Sequence, residues 1–193
     1  MGGTFNPIHY GHLVAAEVMR DRFKLDKVIF VPSYHTPYKG KRDLASSSHR
    51  YKMAKLAIEN NGYFLVSDIE IERGGRSYTR DTIKEFKKRF GKRTKLFFIT
   101  GADAIAQMPK WKRAKELPQL CEFIAVSRPG FKLKKLSPKY QKYTHLIEIS
   151  ALAISSTDIR KRLKGGKTIK YLLPEKVEKY IYRHRLYDSR RAR

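Results

Sequence analysis

A chain of 193 residues with 41% hydrophobic residues has apolar material for a full core, and its 10 Phe and 12 Tyr exclude a disordered polymer despite 32% charged residues. Its 43 Lys and Arg against 18 acidic residues leave a net charge of +25, which favours polyanions of any kind (nucleotides, nucleic acid, an acidic membrane surface) without choosing among them. No run reaches the length of a membrane span and the start lacks a basic segment followed by an apolar core, so the expected location is cytoplasmic; Cys121 is the single cysteine, which excludes an internal disulfide.

In chain order, Gly2-Gly3-Thr4-Phe5-Asn6-Pro7 reads as a turn segment. It leads into a helix from about Gly11 to Phe23, marked by Leu13, Val14, Val18 and Phe23. Val28-Ile29-Phe30-Val31 has the unbroken apolar character of a buried parallel strand, stopped by Pro32. The polar stretch from Ser33 to Ser47 is long enough to be a functional loop. Met53, Leu56 and Ala57 mark a second helix capped within Ser46–Ser48 and closed by Asn60-Asn61-Gly62. Phe64-Leu65-Val66 and Ile69-Glu70-Ile71 read as short strands, Gly74-Gly75 as a turn, and Ile83, Phe86 and Phe90 as one face of a third helix ended by Gly91. Leu96–Ile99, Phe123–Val126 and Leu146–Ile149 are further strands, and Pro174 opens a last helix with Val177, Tyr180 and Ile181 on one face; Arg190–Arg193 reads as a solvated tail. Strands separated by helical periods imply βαβ units and an α/β fold with a mostly parallel sheet, read as one domain over 1–193 whose helical part from about 150 packs on the same core.

Two constellations carry chemistry. His9-x-x-His12 places two imidazoles on one side of a helix start, and Gly11 between them lets an anion approach the backbone N–H groups while the rings donate to it. Zinc is the competing use of a histidine pair, and no third ligand stands at metal spacing. The second is Ile154-Ser155-Ser156-Thr157-Asp158-Ile159-Arg160, where Ser155 and Asp158 form a capping box. This is either a well-capped surface helix or, with three hydroxyls, free N–H groups and Arg160, a cradle for a triphosphate tail.

The two together resemble the nucleotidyltransferase superfamily of the HxGH type, Rossmann-like enzymes with an open, mostly parallel sheet and helices on both faces. Over nearly the whole chain the sequence is similar to the bacterial nicotinate-nucleotide adenylyltransferases: the opening glycine–histidine segment, Ser77-Tyr78-Thr79-x-Asp81-Thr82, Gly101-x-Asp103 followed by Trp111, Ser127-Arg128-Pro129-Gly130, Ile-Ser-Ser-Thr-x-Ile-Arg, and Tyr171-Leu172-Leu173-Pro174. The resemblance implies ATP and nicotinate mononucleotide as substrates, nicotinate adenine dinucleotide and pyrophosphate as products, and Mg2+ bound mainly through ATP phosphates, with no protein metal ligand. One departure is Thr36-Pro37-Tyr38-Lys39, where the family usually has Pro-Pro-His-Lys.

The expected roles follow from the demands of the reaction. The acceptor phosphate is already an anionic nucleophile, so catalysis rests on alignment and charge neutralisation. Among the catalytic residues, His9 and His12 are assigned to the reacting phosphates and Lys39 to the β/γ end of the triphosphate; Gly3, Thr4, Phe5, Gly11, Asp103, Arg128, Ser155, Ser156, Thr157 and Arg160 to ATP; Tyr78, Thr79 and Trp111 to the mononucleotide. Trp111 equally reads as a packing anchor. Pantetheine-phosphate adenylyltransferase and nicotinamide mononucleotide adenylyltransferase are the neighbouring activities, and a basic nucleic-acid-binding protein is the reading from another class. Nucleic acid is expected to bind only non-specifically, through charge. Nothing in the sequence decides between a monomer and a homo-oligomer. Only Met1 precedes Gly2, so the first central strand of the sheet is expected to be missing from this chain, leaving a gap beside Gly2.

Overall fold

The computed structural model describes residues 1–35, 43–91, 93–127, 138–150 and 153–187. Six strands and eight α-helices alternate along it: β1 Gly2–Gly3, α1 Tyr10–Arg22, β2 Val28–Pro32, α2 Ser47–Ile58, β3 Phe64–Val66, α3 Ile69–Arg73, α4 Thr79–Phe90, β4 Phe97–Gly101, α5 Ala102–Ile105, β5 Glu122–Ser127, α6 Pro138–Gln141, β6 Thr144–Glu148, α7 Ser156–Lys164 and α8 Glu175–Arg183. Two 3-10 turns, Met108–Lys110 and Ala114–Gln119, lie between α5 and β5. Every strand pairing is parallel, in two three-stranded sheets ordered β1-β2-β3 and β4-β5-β6. β1 lies beside β4, so the spatial order is 3-2-1-4-5-6, that of doubly wound α/β folds, with the switch point between β1 and β4.

β2 and β5 are buried along both faces, which is why they read as apolar runs without alternation, whereas the outer strands β3 and β6 expose Leu65 and Leu146. Phe123 and Ala125 of β5 face a core with Ile105, Met108 and Leu117, whereas Ile124 between them faces a larger one. That larger core joins Ala16 and Met19 of α1, Phe30 of β2 and Met53 of α2 to Ile159 of α7 and Val177 and Ile181 of α8. Caps and breakers act where the sequence places them: Ser46 accepts from the N–H of His49 at 3.2 Å, and Gly91 ends α4 with φ 78°. Burial pushes the Cys121 thiol up to about 12, as expected for a packed residue and not a nucleophile.

Two expectations are corrected. Ile69-Glu70-Ile71 is helical, because the N–H groups of Ile71 and Glu72 turn back onto the Asp68 carbonyl while Glu70 rotates inward to accept from Thr82 Oγ1 at 2.6 Å. Gly2-Gly3 is a strand and not a turn. It pairs in register with Val31 and Pro32, and the Met1 carbonyl accepts from Val31 N–H at 2.9 Å. With that goes the expected missing strand and its gap: β1 stands beside β4, and the space beside Gly2 is filled by the Phe98 ring, 3.0 Å from where a Cβ on Gly2 would stand, although among the described residues no ladder joins β1 to β4. A two-residue strand supplies hydrogen bonds to β2 alone, so side-chain packing carries the contact with β4.

The α2–α8 contact contains a titratable cluster. His49 Nδ1 lies 2.9 Å from the Tyr180 hydroxyl, and the His184 ring centroid is 5.2 Å from that of His49 and 4.2 Å from that of Tyr180. Burial, and secondarily the His184 charge, hold the His49 pKa below the ordinary imidazole value. The unfolded chain therefore takes up a proton that the folded chain resists, so stability is full above the ordinary value and falls as pH drops through it. Melting midpoints are expected to fall between pH 7.5 and 5.5, with a shallower fall in His49→Gln; identical slopes would remove His49 from the account.

Candidate active site

The segment between β1 and α1 is held in place almost entirely by other parts of the chain. Its Asn6–Pro7 peptide bond is cis, and Phe5 has φ 48°. The Asn6 side chain, 7% exposed, donates to the Asp43 carbonyl at 2.8 Å and accepts from Ala45 N–H at 3.0 Å. The Asn6 carbonyl accepts from Arg160 at 2.9 Å, and the Pro7 carbonyl accepts from Ser156 Oγ at 2.9 Å. The two constellations, 149 residues apart, are thus bonded to each other. The start of α7 stands directly against the histidine loop.

His9 is the N-cap residue of α1. Its backbone N–H donates to His12 Nδ1 at 3.3 Å. With Nδ1 accepting, a neutral His12 ring carries its proton on Nε2 and is a donor there. The two rings lie against each other with centroids 3.8 Å apart and planes tilted by 32°, and Phe5 supports His12 edge-on at 5.1 Å. Gly11 also leaves room for this ring pair: a Cβ on it would lie 3.1 Å from the His9 ring, which would have to give by a few tenths of an ångström. His9 is 5% exposed and Phe5 3%, so both, assigned to substrate from sequence, are buried beneath His12, which remains half exposed. Gly3 and Thr4 line the same loop, where a Cβ on Gly3 would meet the Phe5 ring at 2.9 Å.

The helix starts are also more occupied than sequence suggests. In α1, Tyr10 N–H donates to the Leu172 carbonyl at 3.1 Å and His12 N–H to the His9 carbonyl at 2.9 Å. In α7, Ser155 Oγ accepts from Asp158 N–H at 3.0 Å, which is the expected cap. Arg160 spans Asn6 and Thr157, its NH2 group lying 3.4 Å from Thr157 Oγ1, and its Nε is buried without a partner among the described residues. Ser156 and Arg160, assigned to the triphosphate tail, therefore already brace the histidine loop. Lys39 and Arg128 lie outside the described residues, as do Thr36, Pro37 and Tyr38.

A family model described as cytidylyltransferase-like matches residues 1–162. A relative from Thermoanaerobacter sp. (strain X514), named a probable nicotinate-nucleotide adenylyltransferase, is 54% identical over 98% of this chain and 93% of its own length. This chain belongs to the nicotinate-nucleotide adenylyltransferase family. A second member, from Moorella thermoacetica, is 52% identical over 98% of this chain and 91% of its own. Among solved structures, a Plasmodium falciparum nicotinic acid mononucleotide adenylyltransferase complexed with NaAD superimposes with a TM-score of 0.78 at 24% identity, covering 96% of this chain and 94% of that one, and this likeness concerns the fold.

The remaining family positions cluster on the β4 side of the switch point. Asp103 is exposed at the C-terminal end of β4, on the short helix α5. Tyr78 caps α4 and Thr79 is its first residue, with Lys112 Nζ 4.3 Å from the Tyr78 ring centroid. Trp111 packs edge-on against Phe98 at 6.0 Å and is only half buried, so it both anchors the second core and keeps a face open. Sequence reasoning missed Arg50. It is 1% exposed and donates to the carbonyls of Ala45, Thr4 and Tyr34 at 3.0, 2.8 and 3.1 Å, tying the histidine loop to the segments after β2 and before α2. A signal was present, since Arg50 shares helical spacing with the buried Met53 and Ala54, and a cation on an apolar stripe needs a reason. No such signal marked Asn6.

Proposed function

We infer that this protein transfers the adenylyl group of ATP to nicotinate mononucleotide, giving nicotinate adenine dinucleotide and pyrophosphate for NAD biosynthesis. The observation that carries the reading is the direct bonding of the start of α7 to the Asn6–Pro7 carbonyls, which brings the histidine pair and the Ile-Ser-Ser-Thr segment to one end of the sheet. An oxygen of the acceptor 5′-phosphate attacks the α-phosphorus of ATP, and the bond to the bridging oxygen of pyrophosphate breaks. No proton has to be removed from the nucleophile. What the protein must supply is the alignment of two polyanions and donors that meet the charge as it develops.

His12, with its Nε2 donor, acts at the reacting phosphate, and His9 sets its orientation from below by ring contact and by the backbone bond to Nδ1. Gly3, Thr4 and Gly11 shape the loop against ATP. Ser155, Ser156, Thr157 and Arg160 support the triphosphate from α7, Lys39 and Arg128 supply positive charge, and Asp103 orients the ribose or adenine. Among the described residues no group of three or more His, Cys, Asp or Glu side chains is placed to hold a metal. A Mg2+ arriving on the triphosphate would offset charge on its oxygens. No described helix is long and apolar enough to cross a membrane, and we place the reaction in the cytoplasm.

For the acceptor, the start of α4 at Tyr78 and Thr79, with Lys112 nearby, favours a full negative charge at the pyridine ring, and Trp111 offers it a face. Pyrophosphate release with ATP and a panel of acceptors tests both levels. Nicotinate mononucleotide is expected to exceed its amide in kcat/KM by about tenfold or more, on the scale of one charge at a helix start. Equal use of the amide would overturn the acceptor assignment, and release with pantetheine phosphate alone would overturn the function.

A further inference from the structure

We propose that Tyr187, in the segment that follows α8, is a positioning residue for the reaction, acting through Asn6 on the histidine loop. Its hydroxyl donates to Asn6 Oδ1 at 2.8 Å across 181 residues of sequence. Pro7 has no N–H to donate, so the segment is held by groups brought from elsewhere. Asn6 gathers four of these: Ala45 N–H and the Tyr187 hydroxyl on its side-chain oxygen, the Asp43 carbonyl on its side-chain nitrogen, and Arg160 on its backbone carbonyl. Three come from segments already bonded into the site. Tyr187 alone comes from beyond the last helix.

The tail is built to deliver that hydroxyl. After α8 the chain turns back through hydrogen bonds from His184, Arg185 and Leu186 N–H to the carbonyls of Tyr180, Tyr182 and Ile181. Arg185 and Tyr187 take left-handed backbone angles, φ 49° and 65°, which side chains other than glycine adopt only when their surroundings hold them. Leu186 and the Tyr187 ring then pack against the main core. Burial drives the phenol pKa far up, while Arg160 and Arg50 pull it the other way. The hydroxyl keeps its proton and donates, and Asn6 Oδ1 is oriented toward both the tail and Ala45.

The proposal rests on the adenylyl-transfer reading, so the test has one arm that does not use activity. Tyr187→Phe keeps the ring and removes one hydroxyl; Tyr180→Phe, which removes the hydroxyl bonded to His49 on the α2–α8 contact, is the control. With each variant held well below its own melting midpoint, Tyr187→Phe is expected to lower kcat about tenfold with a smaller change in the KM for ATP, as a misaligned reacting group does. Tyr180→Phe should leave kcat within about twofold. In the His12→Ala background the added cost of Tyr187→Phe should shrink to less than about twofold, since both act on one group. Independently of any substrate, the imidazole NMR resonances of His9 and His12 should shift in Tyr187→Phe and stay in place in Tyr180→Phe. Unchanged imidazole resonances, or wild-type kcat with only a lower melting midpoint, would make Tyr187 a packing residue and overturn the proposal. Shifted resonances in a protein without nicotinate mononucleotide adenylyl transfer would instead uphold the brace and overturn the function.

Discussion

His12→Ala is expected to lower kcat by about 10²–10³-fold, the usual cost of removing one preorganised donor from a developing oxyanion. The expectation is strong because His12 is held ready by its neighbours, with the His9 N–H fixing the Nδ1 side, the His9 ring against it at 3.8 Å, and Phe5 limiting its rotation at 5.1 Å. A donor held in this way needs no reorganisation when charge appears on the phosphate. Substrate dissociation constants should change much less, since on the proposed reading the ground-state phosphates would keep their contacts with α7 and the other basic groups. Turnover measured by pyrophosphate release, beside a melting curve, decides the matter. A folded His12→Ala protein with kcat within a few-fold of the parent would make the histidine a structural residue.

Arg50→Leu is expected to be the most destabilising single change near the site, by roughly 3–5 kcal/mol, because three part-buried carbonyls lose a buried, charged donor together. For a chain of this size that corresponds to a melting midpoint lower by about 10 °C. Burial already depresses the Arg50 pKa, with Tyr187 and Glu70 acting in the opposite direction. Lysine should rescue little, since an ammonium cannot reach the directions of Ala45, Thr4 and Tyr34 that the planar fork reaches at once. Urea titration of the parent, Arg50→Leu and Arg50→Lys measures this directly. A loss below about 1 kcal/mol in Arg50→Leu would mean that water replaces the fork without penalty.

What was legible in the sequence was local or periodic. The strands β2 and β5 announced themselves as apolar runs because inner strands of a parallel sheet are buried on both faces, and the edge strand β6 read the same way although it exposes Leu146. Ser46, Gly91 and Ser155 marked helix ends because capping is settled within four residues. The misreading at Ile69-Glu70-Ile71 shows the limit: alternation over three residues is compatible with a strand, and the contact that decided otherwise, Glu70 with Thr82, joins two separate elements. The chemistry was legible for a related reason. A histidine pair at a helix start and a hydroxyl-rich helix start are short motifs whose residue types state what they can bind.

The sequence by itself therefore determined the α/β class, the parallel sheet, the two chemical constellations and the family to which the chain belongs. Tertiary structure alone decided how those residues share the work. It buried His9 under His12, engaged Ser156 and Arg160 with the Pro7 and Asn6 carbonyls, and placed Tyr187 on the Asn6 side chain. None of these follows from composition or spacing, because each is a hydrogen bond or a ring contact whose partner is chosen by the path of the chain in space. A buried carbonyl must find a donor, but the sequence does not say that the donor for Thr4 is Arg50 or that the one for Asn6 is Arg160. Motifs state which groups are available; packing decides which of them face the substrate and which hold the others in place.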